Sequence, residues 1–271
     1  MTLLKAIVLG IVQGLSEFLP ISSSGHLVIV EHILHFTEGG LAFEVFVHFG
    51  TLLAVVWVFR KDLLDMILAV PDLFRLRQPG LEEKRRNYAL MDLYIIIGSI
   101  PAAVIGLLFE DYIEKIFESH VLALSMLFVT GLIVWSSRYT REKWDSMNSI
   151  HALLIGFAQA FAIIPGISRS GSTIVTGLWL GIKRDFAARF SFILSIPVIL
   201  GATLIKLKDL LAIPPAQSEI DHLIVASLAA LISGYFAIIW LLNVIRKQKL
   251  EWFGIYCIIV SIVGLVLTII I

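Results

Sequence analysis

The 271-residue sequence contains little charge and almost no cysteine. Only 15% of its residues are charged, whereas 58% are apolar, and its mean hydropathy is +0.93. This balance argues against an ordinary soluble enzyme and is typical of a polytopic membrane protein. The single cysteine, Cys257, excludes an intrachain disulfide, and we interpret it as packing because it lies in an apolar run.

The sequence also lacks net charge, since 21 Lys and Arg residues balance 21 Asp and Glu residues. Composition therefore gives no sign of nucleic acid binding, and we expect no such partner. The positions of the charges are more informative. Basic residues cluster in four connections between apolar runs, and the positive-inside rule predicts that these are cytoplasmic: 60–87, 138–143, 183–184 and 246–249.

Long apolar runs define the expected fold. Six of them are close to the roughly 20 helical residues that cross about 30 Å of hydrocarbon: 41–59, 89–109, 121–137, 186–205, 223–245 and 252–271. Four shorter runs flank two polar turns: 3–15 and 27–36 around the first, 150–164 and 174–182 around the second. We predict an all-α integral membrane protein with six transmembrane helices plus two re-entrant helix-loop-helix hairpins.

The two halves of the chain resemble each other. Gly10 and Gln13 precede Gly156 and Gln159 by 146 residues, the same separation that relates the two serine-rich turns. Three spans follow each hairpin, so the halves should have opposite orientations. We predict one membrane domain, 1–271, built as an inverted-topology repeat of about 1–140 and about 150–271. The charge pattern places the first hairpin and both termini outside.

The second polar turn, Pro165-Gly-Ile-Ser-Arg-Ser-Gly-Ser-Thr173, contains an arginine in an apolar setting. Arg169 would cost a few kcal/mol at bilayer depth unless an anion pairs with it. Both turns carry serines where a half-helix begins, and helix N-termini attract anions. Together they predict a phosphate or pyrophosphate site in which Arg169 is joined by small polar residues of both turns: Ser22, Ser24, Gly25, Ser168, Ser170 and Gly171.

The first turn adds groups that can do chemistry. A carboxylate beside an anion site would repel the ligand unless a divalent cation intervenes, so Glu17 predicts Mg²⁺ or Ca²⁺ as a cofactor. His26 can act as general acid, general base or nucleophile near neutral pH. Ser23 is a candidate nucleophile that His26 would activate.

Each of these residues also has a purely structural interpretation. Glu17 can be a helix-end charge, His26 a packing residue, and Arg169 a side chain that extends to a lipid headgroup. Serines are common in turns and caps in any case. Glu44 and His48, one helical turn apart, fit either a supporting role at the site or a polar contact between helices.

Two long motifs resemble those of a known family. Gln13-Gly-Leu-Ser-Glu17-Phe-Leu-Pro-Ile-Ser-Ser-Ser-Gly-His26 and the turn from Pro165 to Thr173 are similar to the signature motifs of bacterial undecaprenyl-pyrophosphate phosphatases of the BacA type. The resemblance covers essentially the whole chain. It assigns the family's serine, histidine and arginine to Ser22, Ser23, His26 and Arg169. Its acidic motif falls on Gln13 and Glu17, so a metal ligand at Gln13 would be the amide oxygen.

The resemblance implies a hydrolase that removes the terminal phosphate of a polyprenyl diphosphate in the bacterial plasma membrane. Such enzymes are metal-dependent, are linked to bacitracin resistance and regenerate the lipid carrier of cell-wall synthesis. The active site is expected to open to the external side. The resemblance leaves three points open: whether the protein forms a homodimer, whether the nucleophile is Ser23, His26 or water, and which cation is used. A transporter of anions or lipid phosphates is the competing class, because inverted repeats with broken helices also build transporters.

Overall fold

The computed structural model describes residues 2–33, 40–76, 80–117, 119–212 and 214–270. These residues fold almost entirely into helices, and the parts described contain a single isolated β-bridge, between Trp144 and Ile182. The α-helices are α1 Leu3–Phe18, α2 Ser23–Ile33, α3 Gly40–Val58, α4 Arg60–Ala69, α5 Glu83–Leu108, α6 Glu110–Phe117, α7 His120–Trp135, α8 Ser149–Phe161, α9 Arg169–Trp179, α10 Arg184–Ala212, α11 Gln217–Arg246 and α12 Glu251–Ile270. Short 3-10 helices follow α4 and α7, at Val70–Arg75 and Ser136–Tyr139.

Small polar side chains begin several of these helices. Thr2 caps α1, Ser119 caps α7 and Asn148 caps α8, each accepting a hydrogen bond from a backbone N–H of the first turn. Such caps satisfy N–H groups that have no partner within the helix. These three helices therefore begin directly after a capping residue that can be recognised in the sequence.

Five helices are long and apolar enough to cross a membrane, and a sixth span results if α3 is joined to the helix after it across a bend of 76°. This confirms the prediction of an all-helical, multi-pass membrane protein, with five to six possible spans where six were predicted. The boundaries differ from the prediction, since α5 begins at Glu83 and α10 continues to Ala212. The connection expected after residue 59 contains α4. The predicted residues 34–36 and 271 lie outside the described residues.

Glycines allow the helices to approach closely in pairs. α1 packs on α11, α8 packs on α5, and α7 packs on α12. A Cβ at Gly156 of α8 would lie 2.5 Å from the carbonyl oxygen of Gly98 in α5. On α1, Gly10 faces the backbone of Ala226 in the same way. Small residues at crossings are the usual means of packing helices in lipid.

The buried core lies where the hairpin helices meet the long spans. Phe192 of α10 contacts Phe18 of α1 and Phe59, with ring centroids 6.0 Å and 5.8 Å apart. Both Phe18 and Phe192 are completely buried, and so are Ile174 and Val175 of α9. This packing holds the ends of α1 and α9 at fixed positions, and the two polar turns lie at these ends.

Candidate functional site

Hydrogen bonds join the two polar turns directly. The Gly166 N–H donates to Ser24 Oγ at 3.1 Å, and Ser170 Oγ donates to the Leu19 carbonyl at 3.0 Å. These contacts link residues more than 140 positions apart in the chain. The structure therefore brings together the two motifs that the sequence predicts to be halves of one site.

A serine cap begins the second helix of each hairpin. Ser22 Oγ accepts from the Gly25 N–H at 3.3 Å, and Ser168 Oγ accepts from the Gly171 N–H at 3.1 Å. The first residues of the two helices are then Ser23 for α2 and Arg169 for α9. Because helix N-termini carry partial positive charge, both turns present this charge at the same place.

The Glu17 carboxylate bridges these two helix N-termini. Ser23 Oγ donates to Glu17 Oε2 at 2.8 Å, and Arg169 Nη2 donates to Glu17 Oε1 at 3.0 Å. The side chains of Glu17 and Arg169 are only 8% and 13% exposed. A carboxylate this buried needs such partners, because an unpaired buried charge is expensive. One acidic group thus orients both a hydroxyl and a guanidinium.

Gln13 and His48 extend this arrangement. Gln13 Nε2 donates to Glu17 Oε2 at 3.1 Å and lies 3.3 Å from His48 Nε2. His48 Nδ1 lies 2.8 Å from the Glu44 carbonyl, which can only accept, so Nδ1 carries the proton and Nε2 is the acceptor. The two Gln13 N–H groups are therefore shared between Glu17 and His48. His48 belongs to the site, whereas the Glu44 side chain pairs with Lys206.

His26 lies one turn into α2 and has two partners of its own. Its Nδ1 is 2.9 Å from the Ser22 carbonyl, and its Nε2 is 2.8 Å from the Tyr256 hydroxyl. The carbonyl fixes a proton on Nδ1, so in the neutral ring Nε2 carries the lone pair and accepts from the Tyr256 hydroxyl. These two partners hold the imidazole in one orientation.

Two buried polar atoms of the site have no hydrogen-bond partner in the described part of the chain: Gln13 Oε1 and Arg169 Nη1. Buried polar groups are normally satisfied, so each is a candidate contact for a ligand. The donor Nη1 suits an anion, and the acceptor Oε1 suits a cation or a donor group. Both orphaned atoms lie beside Glu17, on residues that already bond to its carboxylate.

The residues expected to bind a cation fit Mg²⁺ or Ca²⁺ in part. Glu17 and the unpartnered Gln13 amide oxygen are hard oxygen donors of the type that these ions prefer. Within the described residues, no group of three or more His, Cys, Asp or Glu side chains is arranged around a common point. Mg²⁺ commonly uses one or two protein carboxylates together with substrate phosphates and water, and this donor set corresponds to that pattern.

The structure revises some of the expected roles. Ser23 pairs with Glu17, and the expected pairing with His26 is not observed among the described residues. The hydroxyls of the other four serines cap helices or join the turns: Ser22, Ser24, Ser168 and Ser170. Ser170 is completely buried. Side-chain hydroxyls in such structural roles are occupied within the protein.

The packing around the turns explains why some of their positions are occupied by glycine. Gly166 has a φ of 90°, and a Cβ there would collide with the Ala123 carbonyl of α7. A Cβ at Gly171 would lie 3.0 Å from Val134 Cγ2, whereas one at Gly25 would make only ordinary contacts. Gly166 is therefore needed for the close approach of the turn to α7.

Two residues of the site could not be recognised as functional from the sequence. Tyr256 reaches His26 from α12, and Thr130 of α7 binds the second turn. The Thr130 hydroxyl donates to the Gly166 carbonyl at 2.7 Å and accepts from the Ser168 N–H at 2.9 Å. Each is one of a few polar residues in an apolar run, and only the polarity of the residue could have suggested a buried hydrogen bond.

Comparison with known proteins gives consistent matches. The family described as Bacitracin resistance protein BacA matches residues 6–263. An undecaprenyl-diphosphatase of Methanobrevibacter smithii is 43% identical over 272 residues, covering 97% of this chain and 96% of that protein. An undecaprenyl-diphosphatase of Halothermothrix orenii is 44% identical, covering 98% of each chain. One of Desulforapulum autotrophicum is 40% identical with the same coverage.

Proposed function

The chain belongs to the BacA family of bacitracin resistance proteins, and from this we propose that it is an undecaprenyl-diphosphatase. It hydrolyses the terminal phosphate of the C55 lipid diphosphate and gives undecaprenyl phosphate and inorganic phosphate. The lipid monophosphate returns to cell-wall synthesis as a carrier. Similarity to relatives that bear this name, over nearly the full length of both chains, supports the assignment.

One structural observation carries the proposal: the contact of Glu17 with both Ser23 and Arg169. A nucleophile, an acid-base group and a cation for phosphate meet at the N-termini of two helices. Helix N-termini and arginine both bind phosphate oxygens. Arg169 has an unpartnered Nη1 in addition to the Nη2 that holds Glu17. It can therefore bind a phosphate without giving up its carboxylate.

We propose that the two hairpins are re-entrant. Their helices have 16 and 11 residues in the first hairpin and 13 and 11 in the second. At 1.5 Å per residue these lengths are about 16–24 Å, less than the roughly 30 Å of hydrocarbon. Hairpins that are too short to cross and whose turns touch each other must meet inside the membrane if they enter from opposite sides.

The helix pairing supports an inverted repeat. α1 of the first half packs on α11, the second long span of the second half, and α8 packs on α5, the corresponding span of the first half. The spans α3 and α10 also contact each other, as do α7 and α12. Reciprocal pairing of this kind is what a pseudo-twofold axis in the membrane plane produces. The lipid tail then lies along a groove between the halves, with its diphosphate at the turns.

In the proposed reaction, Ser23 Oγ attacks the terminal phosphorus and its proton passes to Glu17. The bond between that phosphorus and the bridging oxygen breaks, and undecaprenyl phosphate leaves with the electron pair. Water then attacks the phosphoserine, the bond between phosphorus and Ser23 Oγ breaks, and Glu17 returns its proton to Ser23 Oγ. His26 accepts a proton from the water and passes it to the solvent when inorganic phosphate leaves. Arg169 and the helix N-termini stabilise charge on the transferring group throughout.

We propose Mg²⁺ or Ca²⁺ as the cofactor, with Glu17 and Gln13 as its protein ligands. A bound divalent cation neutralises charge on the diphosphate oxygens. The unpartnered Gln13 oxygen supports this assignment. Because Gln13 is neutral, the protein contributes one carboxylate to the ion instead of two.

We place the protein in the plasma membrane with the site open to the external side. The connection from residue 60 to residue 87 carries seven basic residues and follows α3. The positive-inside rule puts this end of α3 in the cytoplasm, so the first hairpin, which precedes α3, enters from outside. This orientation suits a carrier lipid that polymer assembly releases on the outer side.

The products distinguish the proposed hydrolase from a lipid transporter. Purified protein in detergent is incubated with undecaprenyl diphosphate, and the lipid products are identified by mass spectrometry. Conversion to undecaprenyl phosphate with an equal amount of inorganic phosphate supports the hydrolase. An unchanged lipid, together with protein-dependent movement of a labelled lipid phosphate across vesicle membranes, would support the transporter instead.

A further inference from the structure

Tyr256 of α12 hydrogen-bonds to His26, a motif residue of the site. Its hydroxyl lies 2.8 Å from His26 Nε2, and the two rings are nearly parallel, with an interplanar angle of 14° and centroids 5.5 Å apart. The chain positions differ by 230 residues. Tyr256 therefore determines both the direction of the His26 ring and the partner of its basic nitrogen.

The backbone around Tyr256 is firmly held. The neighbouring Cys257 is completely buried, and its thiol lies 3.7 Å from the Pro20 carbonyl of the first turn. Further along α12, Ser261 donates to the Leu124 carbonyl of α7 at 2.7 Å. A Cβ at Gly254 would collide with the Gly131 backbone, so α12 and α7 are in close contact. These contacts fix α12 on both sides of Tyr256.

The bonding of His26 gives the Tyr256 hydroxyl a definite role. Since the Ser22 carbonyl accepts from Nδ1, the only free lone pair of the ring is at Nε2. Tyr256 donates to that lone pair, and its oxygen can accept in return when Nε2 becomes protonated. The hydroxyl is thus a partner for His26 before and after proton transfer. It prevents rotation of the ring in both states.

We propose that Tyr256 relays a proton between the attacking water and His26 in the hydrolysis. This inference rests on the proposed function, in which His26 accepts a proton from the attacking water. Because the phenol occupies the Nε2 lone pair, the water donates its proton to the Tyr256 oxygen while the phenol donates its own proton to Nε2. Tyr256 is 43% exposed, so the pair lies at the edge of the site and not in the buried core.

Tyr256→Phe removes only the hydroxyl and tests the proposal by kinetics. We expect kcat for phosphate release to fall roughly tenfold or more, with KM within about twofold, since general acid-base alignment affects the chemical step. In a His26→Gln background the same substitution should change kcat by less than about twofold, because the imidazole on which the hydroxyl acts is already absent. An equal loss in both backgrounds would overturn the proposal. Tyr139→Phe, an exposed tyrosine that packs on Trp135, is the control.

A second measurement does not depend on activity. In protein with ¹⁵N-labelled histidine, the His26 signals are those that disappear in His26→Gln. We expect the pattern of a neutral ring protonated at Nδ1, and a change of the Nε2 resonance in Tyr256→Phe. A ring protonated at Nε2, or no change, would overturn the inference. If the expected resonances appear in a protein without phosphatase activity, the contact stands and the proposed function fails.

Discussion

Arg169 and Glu17 form an ion pair of 3.0 Å although 152 positions separate them in the chain. The pair joins the end of one helix to the beginning of another, and both side chains are nearly buried. Buried pairs contribute little net stability, but removal of one partner is costly. We interpret the pair as a preorganised half of a phosphate site, in which the guanidinium is already aimed and has one free donor.

Replacement of Arg169 by Ala should abolish activity and reduce stability. The buried Glu17 would lose its compensating charge, which costs about 3–5 kcal/mol, and the loss of a phosphate ligand should lower kcat/KM about 100-fold or more. Arg184→Ala is the matched control, since Arg184 is similarly buried and pairs with Glu142. Thermal unfolding should show a loss of stability in both variants. The loss should be smaller for Arg184→Ala because Glu142 is a third exposed. Normal phosphate release by folded Arg169→Ala would contradict the assignment.

Ser23→Ala tests the nucleophile. If Ser23 Oγ attacks phosphorus, this substitution should lower kcat at least about 100-fold while KM stays nearly constant. Ser99→Ala is the control, because Ser99 Oγ donates to the Ile95 carbonyl within α5. A Ser23→Ala enzyme with more than a tenth of the normal kcat would show that water or His26 attacks directly.

Gly156→Ala tests the crossing of α8 and α5. The added Cβ would lie 2.5 Å from the Gly98 oxygen, and we expect a loss of about 1–3 kcal/mol in unfolding free energy as the helices separate. Gly106→Ala, on α5 with open space around it, should be neutral or stabilising by up to about 1 kcal/mol. Thermal unfolding in one detergent compares the two. Equal stabilities would show that the helices do not approach as described.

The sequence allowed prediction of the parts of the site that are local. Ser22 and Ser168 are caps because a polar residue that precedes an apolar run satisfies helix N–H groups, and this depends on neighbours alone. The cost of an unpaired arginine in lipid predicts an anionic partner for Arg169, for which the sequence favours a phosphate, whereas the direct contact with Glu17 comes from the structure. In both cases the physical requirement can be read from a short stretch of sequence.

Other contacts depend on how helices are rotated against each other. Tyr256 reaches His26, and His48 reaches Gln13, only because α12 and α3 present particular faces to the first hairpin. Rotation of an apolar helix by one residue would change these partners without changing its hydropathy. The bend of 76° between α3 and the next helix was likewise not predictable from composition.

His48 should control the affinity for the cation through Gln13. His48→Phe removes the acceptor that orients the Gln13 amide, and loss of such a supporting contact typically costs about 10–100-fold in metal affinity. We expect the Mg²⁺ concentration for half-maximal phosphate release to rise by that factor. His48→Gln, which retains an acceptor, should restore most of the affinity. Identical Mg²⁺ dependence in all three proteins would contradict this role of Gln13.

The central claim is that the two turns form one cation-dependent diphosphate site. The most direct measurement is the initial rate of phosphate release from undecaprenyl diphosphate in detergent, for wild-type protein, Glu17→Gln, Arg169→Ala and the double variant, with Mg²⁺ or with EDTA. We predict that the wild type releases phosphate and that EDTA abolishes this release. Each single variant should be slower by about 100-fold or more. The double variant should be no slower than the slower single variant, because both residues act at one site. Well-folded wild-type protein that releases no phosphate with any cation, or single variants that keep the wild-type rate, would contradict the account.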